Sequence, residues 1–228
     1  TASSNTAVGR EAMRDNTTGT NNISMGVSAL STNTTASSNT ALGTAALRRN
    51  TTGPSNTAVG HQAMDSNTTG FENVASGYRA LYNNTSGETN TAIGTEALRD
   101  NQTADNNTAV GKSALMSNTT GELNTAVGRG ALDASTTAEY NVAVGKDAGG
   151  TLTTGSYNAV LGTLALRDAT TAARSVAIGT SALQNNVSGG DNTAVGSNCL
   201  TSTTGNNNTA IGYASGNANT SGSQNTFV

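Results

Sequence analysis

Small apolar and hydroxyl-bearing residues return along this chain at a fixed distance. Asn5-Thr6-Ala7-Val8-Gly9 reappears as Asn56 to Gly60, Asn107 to Gly111, Asn124 to Gly128 and Asn192 to Gly196, with close variants between. The glycines stand at Gly9, Gly26, Gly43, Gly60, Gly77, Gly94, Gly111, Gly128, Gly145, Gly162, Gly179 and Gly196, each 17 residues after the last. A constant period of this length marks a solenoid or a stacked array. Numbered from its Asn, the unit reads Asn-Thr-Ala-Val-Gly-x-x-Ala-Leu-x-x-Asn-Thr-Thr-Gly-x-x. Slot 1 is held by Asn5, Asn39, Asn56 and their equivalents, with Ser175 the exception. Slot 3 is Ala almost throughout, slot 4 is usually apolar, slot 5 is Gly, slot 8 is Ala and slot 9 is Leu or Met. Slots 6, 7, 10, 11, 16 and 17 vary freely and carry nearly all the charge.

Gly, Thr and Val recur too densely for a helix. Slots 1 to 4 predict a short strand, and the slot 5 Gly, free to take positive φ, turns the chain. Slots 7 to 9 predict a second short extended piece, and Asn-Thr-Thr-Gly a turn. One unit is then one coil of an all-β parallel β-solenoid (a β-roll) with 17-residue coils, about 13 coils and a partial one over residues 1–228 as a single repeat array. Like slots stack at about 4.8 Å. In the strand, slots 2 and 4 face one way and slot 3 the other. Slot 4 is apolar and slot 3 small, so neither face is made for water. A thin coil has one interior, so the other face is expected to pack on another chain. The alternative is that Ala in slot 3 fits a tight bend.

Composition without the period would suggest disorder: 11% charged, 3% aromatic, 27 Gly, one Pro and no Trp. The fixed slots overrule that reading. The formal net charge of −3, with no basic stripe, argues against nucleic acid. One cysteine excludes an intrachain disulfide, and Cys199 in the slot 8 position reads as a small buried residue. No apolar run approaches the ~20 residues of a membrane helix, so no direct membrane contact is expected. The chain begins without Met and stops mid-coil at Asn225-Thr226-Phe227-Val228, which suggests a segment of a longer fibre.

Several coils depart from the consensus. Slot 16 reads Glu88, Asp105, Glu122, Glu139, and slot 6 reads Lys112, Arg129, Lys146. Each base follows an acid by seven residues (Asp105 to Lys112, Glu122 to Arg129, Glu139 to Lys146), predicting an ion-pair ladder within a coil or between chains. One acid per coil supplies too few oxygens for calcium, so no metal is expected. Gly149 vacates slot 9, and Leu152 is placed to refill the space. Tyr140 and Tyr157 share slot 17 and are expected to stack. Coil twelve is one residue short, assigned here to slots 10 to 12 around Thr201 and Ser202. Asn-x-Ser/Thr recurs in slot 12, at Asn33, Asn50 and Asn67 among others, either as glycan acceptors or simply as turn formers.

Ser175-Val176-Ala177-Ile178-Gly179-Thr180-Ser181-Ala182 resembles the Ser-Val-Ala-Ile-Gly-x-x-Ala motif of the YadA-like heads of trimeric autotransporter adhesins. Asn90-Thr91-Ala92-Ile93-Gly94-Thr95-Glu96-Ala97 is a softened form, similar also to repeats of phage tail-fibre-like proteins. The resemblance implies a left-handed β-roll, a homotrimer, and attachment at a bacterial cell surface or on a virion tail fibre. It is specific to fold and weak for ligand, which could be a host protein, a glycan or another cell. The family's coils are typically shorter, and no neck or heptad stalk is present here.

No nucleophile with a base, no paired catalytic carboxylates, no phosphate loop and no metal cluster is present, so neither an enzyme nor a cofactor is expected. The leading expectation is a structural and adhesive surface fibre segment with multivalent display. The alternatives are a phage tail-fibre shaft and an ice-binding β-solenoid, the latter suggested by abundant Thr. The Thr pairs are adjacent (Thr17-Thr18, Thr51-Thr52), which points them to opposite faces or into a turn.

Overall fold

The computed structural model describes residues 2–228. The chain is an all-β parallel β-solenoid with 17-residue coils, and no helix occurs among the described residues. It packs as two compact units, Thr1–Ser113 and Ala114–Val228. The first carries β1 (Thr6–Val8), β2 (Ile23–Met25), β3 (Thr40–Leu42), β4 (Thr57–Val59), β5 (Val74–Ser76), β6 (Thr91–Ile93) and β7 (Thr108–Val110). The second carries β8 (Thr125–Val127), β9 (Val142–Val144), β10 (Ala159–Leu161), β11 (Val176–Ile178), β12 (Thr193–Val195), β13 (Thr209–Ile211) and β14 (Thr226–Phe227). Within each unit, successive strands pair parallel and slot on slot, as in Thr40↔Thr57, Ala41↔Ala58 and Leu42↔Val59. The β-branched and aliphatic residues of slots 2 and 4 suit so short a pleated segment.

Slot 3 is the inward position. Ala41, Ala58, Ala75, Ala92 and Ala109 are fully buried, while their slot 2 and slot 4 neighbours are half-buried or exposed. Ser24, the polar exception in slot 3, is satisfied by donating to the Ala29 carbonyl at 2.7 Å. Slots 8 and 9 complete the apolar interior, with Leu30, Leu47, Leu81 and Leu98 at 0% exposure.

Slots 7 to 9 are not extended. They form turns in which slots 7 and 9 are left-handed, as at Gln62 (φ 57°), Met64 (φ 55°), Glu96 (φ 59°) and Leu98 (φ 50°). Leu rarely adopts that conformation. It does so here because the turn drives slot 9 into the core while the backbone still pairs between coils. Leu47 N–H donates to the Ala63 carbonyl at 3.0 Å, and Gln62 N–H to the Thr44 carbonyl at 2.9 Å. Slot 5 needs glycine for a second reason. Gly60 has φ +131°, and a Cβ on it would lie 2.6 Å from the Gly77 carbonyl oxygen of the next coil.

The shortened coil loses its residue later than the sequence suggested. Thr203 N–H donates to the Leu200 carbonyl at 3.3 Å, the slot 12 bond, and Thr204 N–H donates to the Thr220 carbonyl at 2.7 Å, the slot 13 bond. The vacancy is therefore slot 14, between Thr204 and Gly205. It falls in a turn, so β12 and β13 stay aligned, Ala194 on Ala210. A loss in slots 10 or 11 would have displaced the side chain entering slot 12.

Candidate interaction surfaces

Two columns of asparagine lie inside the coil. In slot 1, each Asn Oδ1 accepts the backbone N–H of the next slot 1 residue, as Asn56 N–H donates to Asn39 Oδ1 at 2.9 Å. Its Nδ2 closes its own coil, as Asn56 Nδ2 donates to the Gly70 carbonyl at 2.8 Å. In slot 12, both amide hydrogens are used. Asn67 Nδ2 donates to Asn50 Oδ1 at 2.8 Å and to the Gly70 carbonyl at 2.9 Å. Asn84 repeats this with Asn67 at 2.7 Å and Gly87 at 2.9 Å. These residues are fully buried. The atom a glycosyltransferase would modify is thus bonded inside the core, so at Asn33, Asn50, Asn67 and Asn84 a glycan and the folded coil exclude each other.

The outward face of the strands is apolar. Slot 4 exposes Val8, Met25, Val59 and Ile93 in the first unit and Leu161, Ile178 and Ile211 in the second. Slot 2 adds Ile23, Val74 and Val142 among threonines. The expected second dry face is therefore the slot 2 and slot 4 side. Slot 17 also carries exposed large side chains in the second unit, at Leu123, Tyr140 and Tyr157. The two tyrosines stack with ring centroids 4.9 Å apart and planes within 5°.

Charges decorate the turns. Arg14, Arg99 and Arg167 of slot 10 each fold onto the following Asp, with closest approaches of 2.8, 2.6 and 2.7 Å. The Arg167 guanidinium holds the Asp168 carboxyl below the usual carboxylate range. Between coils, Arg48 Nη2 meets Oδ2 of the fully buried Asp65 at 2.9 Å. The accompanying Nε–Oδ1 approach is equally short but poorly aligned, so the Nη2 bond carries the pair. Asp133 packs beside Asp147, and burial together with that neighbouring charge pushes its carboxyl up.

Three residues of the expected ion-pair ladder, Lys146, Asp105 and Glu139, make contacts of their own. Lys146 lies 3.7 Å from Asp147. Asp105 Oδ1 accepts the Glu88 backbone N–H at 2.7 Å. Ser156 does the same for Glu139, and Ser37 for Thr20, both at 3.0 Å. Slot 16 is thus used by side chains that accept from the preceding coil, a role its variable composition concealed.

Two further features gather around coils three to six. Tyr78 stacks on His61, with centroids 5.8 Å apart, and the Arg79 guanidinium lies 5.2 Å from the rings of both Tyr78 and Tyr82. An open groove of about 450 Å³ is lined by Arg49, Ser66, Thr68, Asn83, Thr85 and Gln102. Sequence reasoning missed this groove because its walls come from slots 11 and 13 of different coils.

Cys199 sits fully buried in slot 8, its Sγ 3.2 Å from the Ala210 carbonyl oxygen, and burial pushes its thiol up. Among the described residues no group of three or more His, Cys, Asp and Glu gathers as a metal site, and no helix is long and apolar enough to cross a membrane. Compared with known proteins, the chain matches no family model, no curated protein and no solved structure.

Proposed function

We propose that this chain is a segment of a non-enzymatic surface fibre that displays its variable slots for attachment, and that three copies associate through the slot 2 and slot 4 faces. The observation that carries the reading is the outward stripe. Val8 and Met25 are 52% and 51% exposed in one unit, and Leu161 and Ile211 are 50% and 52% exposed in the other. Contiguous apolar surface repeated at strand spacing is the kind that a partner covers. The resemblance of Ser175 to Ala182 to YadA-like head repeats supports three copies and a left-handed winding. In such an assembly the stacked backbone bonds and buried Asn columns make the scaffold stiff. The turns then supply many weak contacts whose effect multiplies across chains. The ion-pair ladder of Asp105, Glu122 and Glu139 with Lys112, Arg129 and Lys146 belongs to the same proposal as a contact between copies. Attachment places the fibre outside a bacterial cell or on a virion.

Sedimentation equilibrium of the purified chain tests this directly. A trimer is expected, converted to monomer by Val59→Asp with Ile178→Asp; a wild-type monomer overturns the reading. The ice-binding alternative has less support. Slot 13 hydroxyls are committed to the ladder, as Thr51 Oγ1 donates to the Thr68 carbonyl at 3.0 Å. Thermal hysteresis of the same sample would reinstate it.

A further inference from the structure

We propose that the groove on the Thr1–Ser113 unit binds an acidic saccharide, one carrying carboxylate or sulfate groups. The inference rests on the attachment reading and gives it a ligand class. Every residue lining the groove carries a polar side chain, with aliphatic stems and threonine methyls between the polar atoms. Arg49, Ser66 and Asn83 stand in slot 11 of three successive coils, and Thr68, Thr85 and Gln102 in slot 13. Thr68 and Thr85 use their hydroxyl hydrogens on the carbonyls of Thr85 and Gln102, at 2.8 and 3.0 Å. Their oxygens are thereby fixed in place and keep lone pairs to accept from a ligand. Asn83 uses one amide hydrogen on Asp100 at 3.0 Å. Its other N–H and its carbonyl oxygen, with the exposed Gln102 amide, can serve donors and acceptors alike.

The charge at the head of the groove is the informative part. In this unit Arg14, Arg48 and Arg99 each hold a carboxylate oxygen within 3 Å, at 2.8, 2.9 and 2.6 Å. Arg49 has no acidic partner within ion-pair distance among the described residues. A guanidinium left uncancelled beside hydroxyls and amides offers a forked contact to a carboxylate or sulfate. A single cation on a chain of net charge −3 does not serve a nucleic-acid backbone. A peptide ligand would need an open strand edge or apolar pockets, and this groove has neither among its lining residues. A polysaccharide matches it in another respect: its repeating rings can meet the same slots coil after coil, at strand spacing of about 4.8 Å. None of the lining residues belongs to the slot 2 and slot 4 face, so association of copies there leaves them free.

The test uses the purified full chain, isotopically labelled and titrated with an oligogalacturonate, a sulfated oligosaccharide and a neutral oligosaccharide of equal length. Amide and side-chain shifts are expected at Arg49, Ser66, Asn83 and Gln102 with one or both acidic sugars, and the two arms tell carboxylate from sulfate. Arg49→Gln should weaken binding about tenfold, while Arg49→Lys keeps part of it, both with an unchanged melting profile because the side chain is exposed. Absence of shifts with either acidic sugar overturns the proposal. Equal binding by Arg49→Gln, or an equal response to the neutral sugar, also overturns it. A trimer that ignores acidic sugars sinks only this site; a monomer that binds them sinks the trimeric fibre and leaves the groove standing.

Discussion

The Thr1–Ser113 unit and the Ala114–Val228 unit wind the same coil, yet they fill slot 12 differently. In the first, Asn16, Asn33, Asn50, Asn67, Asn84 and Asn101 follow one another without a break. In the second, Asn118 gives way to Ser135, Leu152 and Ala169 before Asn186 restores the pattern. The interruption surrounds Gly149, which leaves slot 9 without a side chain. Leu152 is fully buried there, and Leu132 Cδ2 lies only 2.9 Å from where a Cβ on Gly149 would begin. Polar ladder and apolar filling are thus two solutions to the same interior, and a coil can exchange one for the other if slots 9 and 12 change together.

The largest effect should fall on what the two units share. Gly60→Ala in the first and Gly179→Ala in the second each place a Cβ 2.6 Å from a carbonyl oxygen of the next coil, at φ of +131° and +126°. Both should lose more than about 3 kcal/mol in denaturant titrations. Tolerance by either unit would show that slot 5 does not serve them alike. The next effect probes the exchange itself. Gly149→Leu should crowd Leu132 and Leu152, and Leu152→Asn should leave the interior underfilled, each costing about 2 kcal/mol. Combined, they should recover most of that loss. A double-mutant cycle with no coupling would mean that slots 9 and 12 do not compensate.

Hydrogen bonding distinguishes the units on a smaller scale. Asn67→Ala removes three bonds, two that it donates and one that it accepts from Asn84, and strands its neighbours, at a cost of about 1–3 kcal/mol. Ser135→Ala should be neutral or slightly stabilising, because its Oγ is buried without a partner. Thermal melts of the pair would show whether the ladder in the first unit is worth more than its remnant in the second. The smallest effect depends on pH. Asp133 has its carboxyl pushed up by burial and Asp147, so the folded state holds that proton more tightly than the unfolded chain. The ionised form therefore costs stability above the folded pKa, and the cost fades as pH falls through it toward the unfolded value. Asp133→Asn should raise the melting temperature slightly at neutral pH and lose that advantage in acid.

Glycine spacing and the short apolar segments made the winding, the coil length and the strand positions legible before any coordinates. Four things were not. Leu98 and its equivalents are left-handed, against their own propensity, because closure of the turn outweighs local preference; no periodicity reports that conflict. Asn67 and its equivalents carry the composition of an exposed turn and lie in the core, since an amide that bonds up, down and across is as well satisfied there as in water. The alternation of slots 2, 3 and 4 told that two faces exist and left open which one is interior. Small Ala58 faces inward because the space between opposed walls of so thin a coil is narrow. The candidate groove was invisible for a simpler cause: Arg49, Asn83 and Gln102 meet only when coils stack.

Coil twelve shows where this architecture accepts a change in length. It lacks a residue between Thr204 and Gly205, and the strands on either side pair as though nothing were missing. A corner that can be shortened without disturbing its neighbours is also the natural point at which to lengthen the chain. A short foreign peptide spliced there would stand out from the wall, and the same splice at several corners would space its copies at the interval between laps.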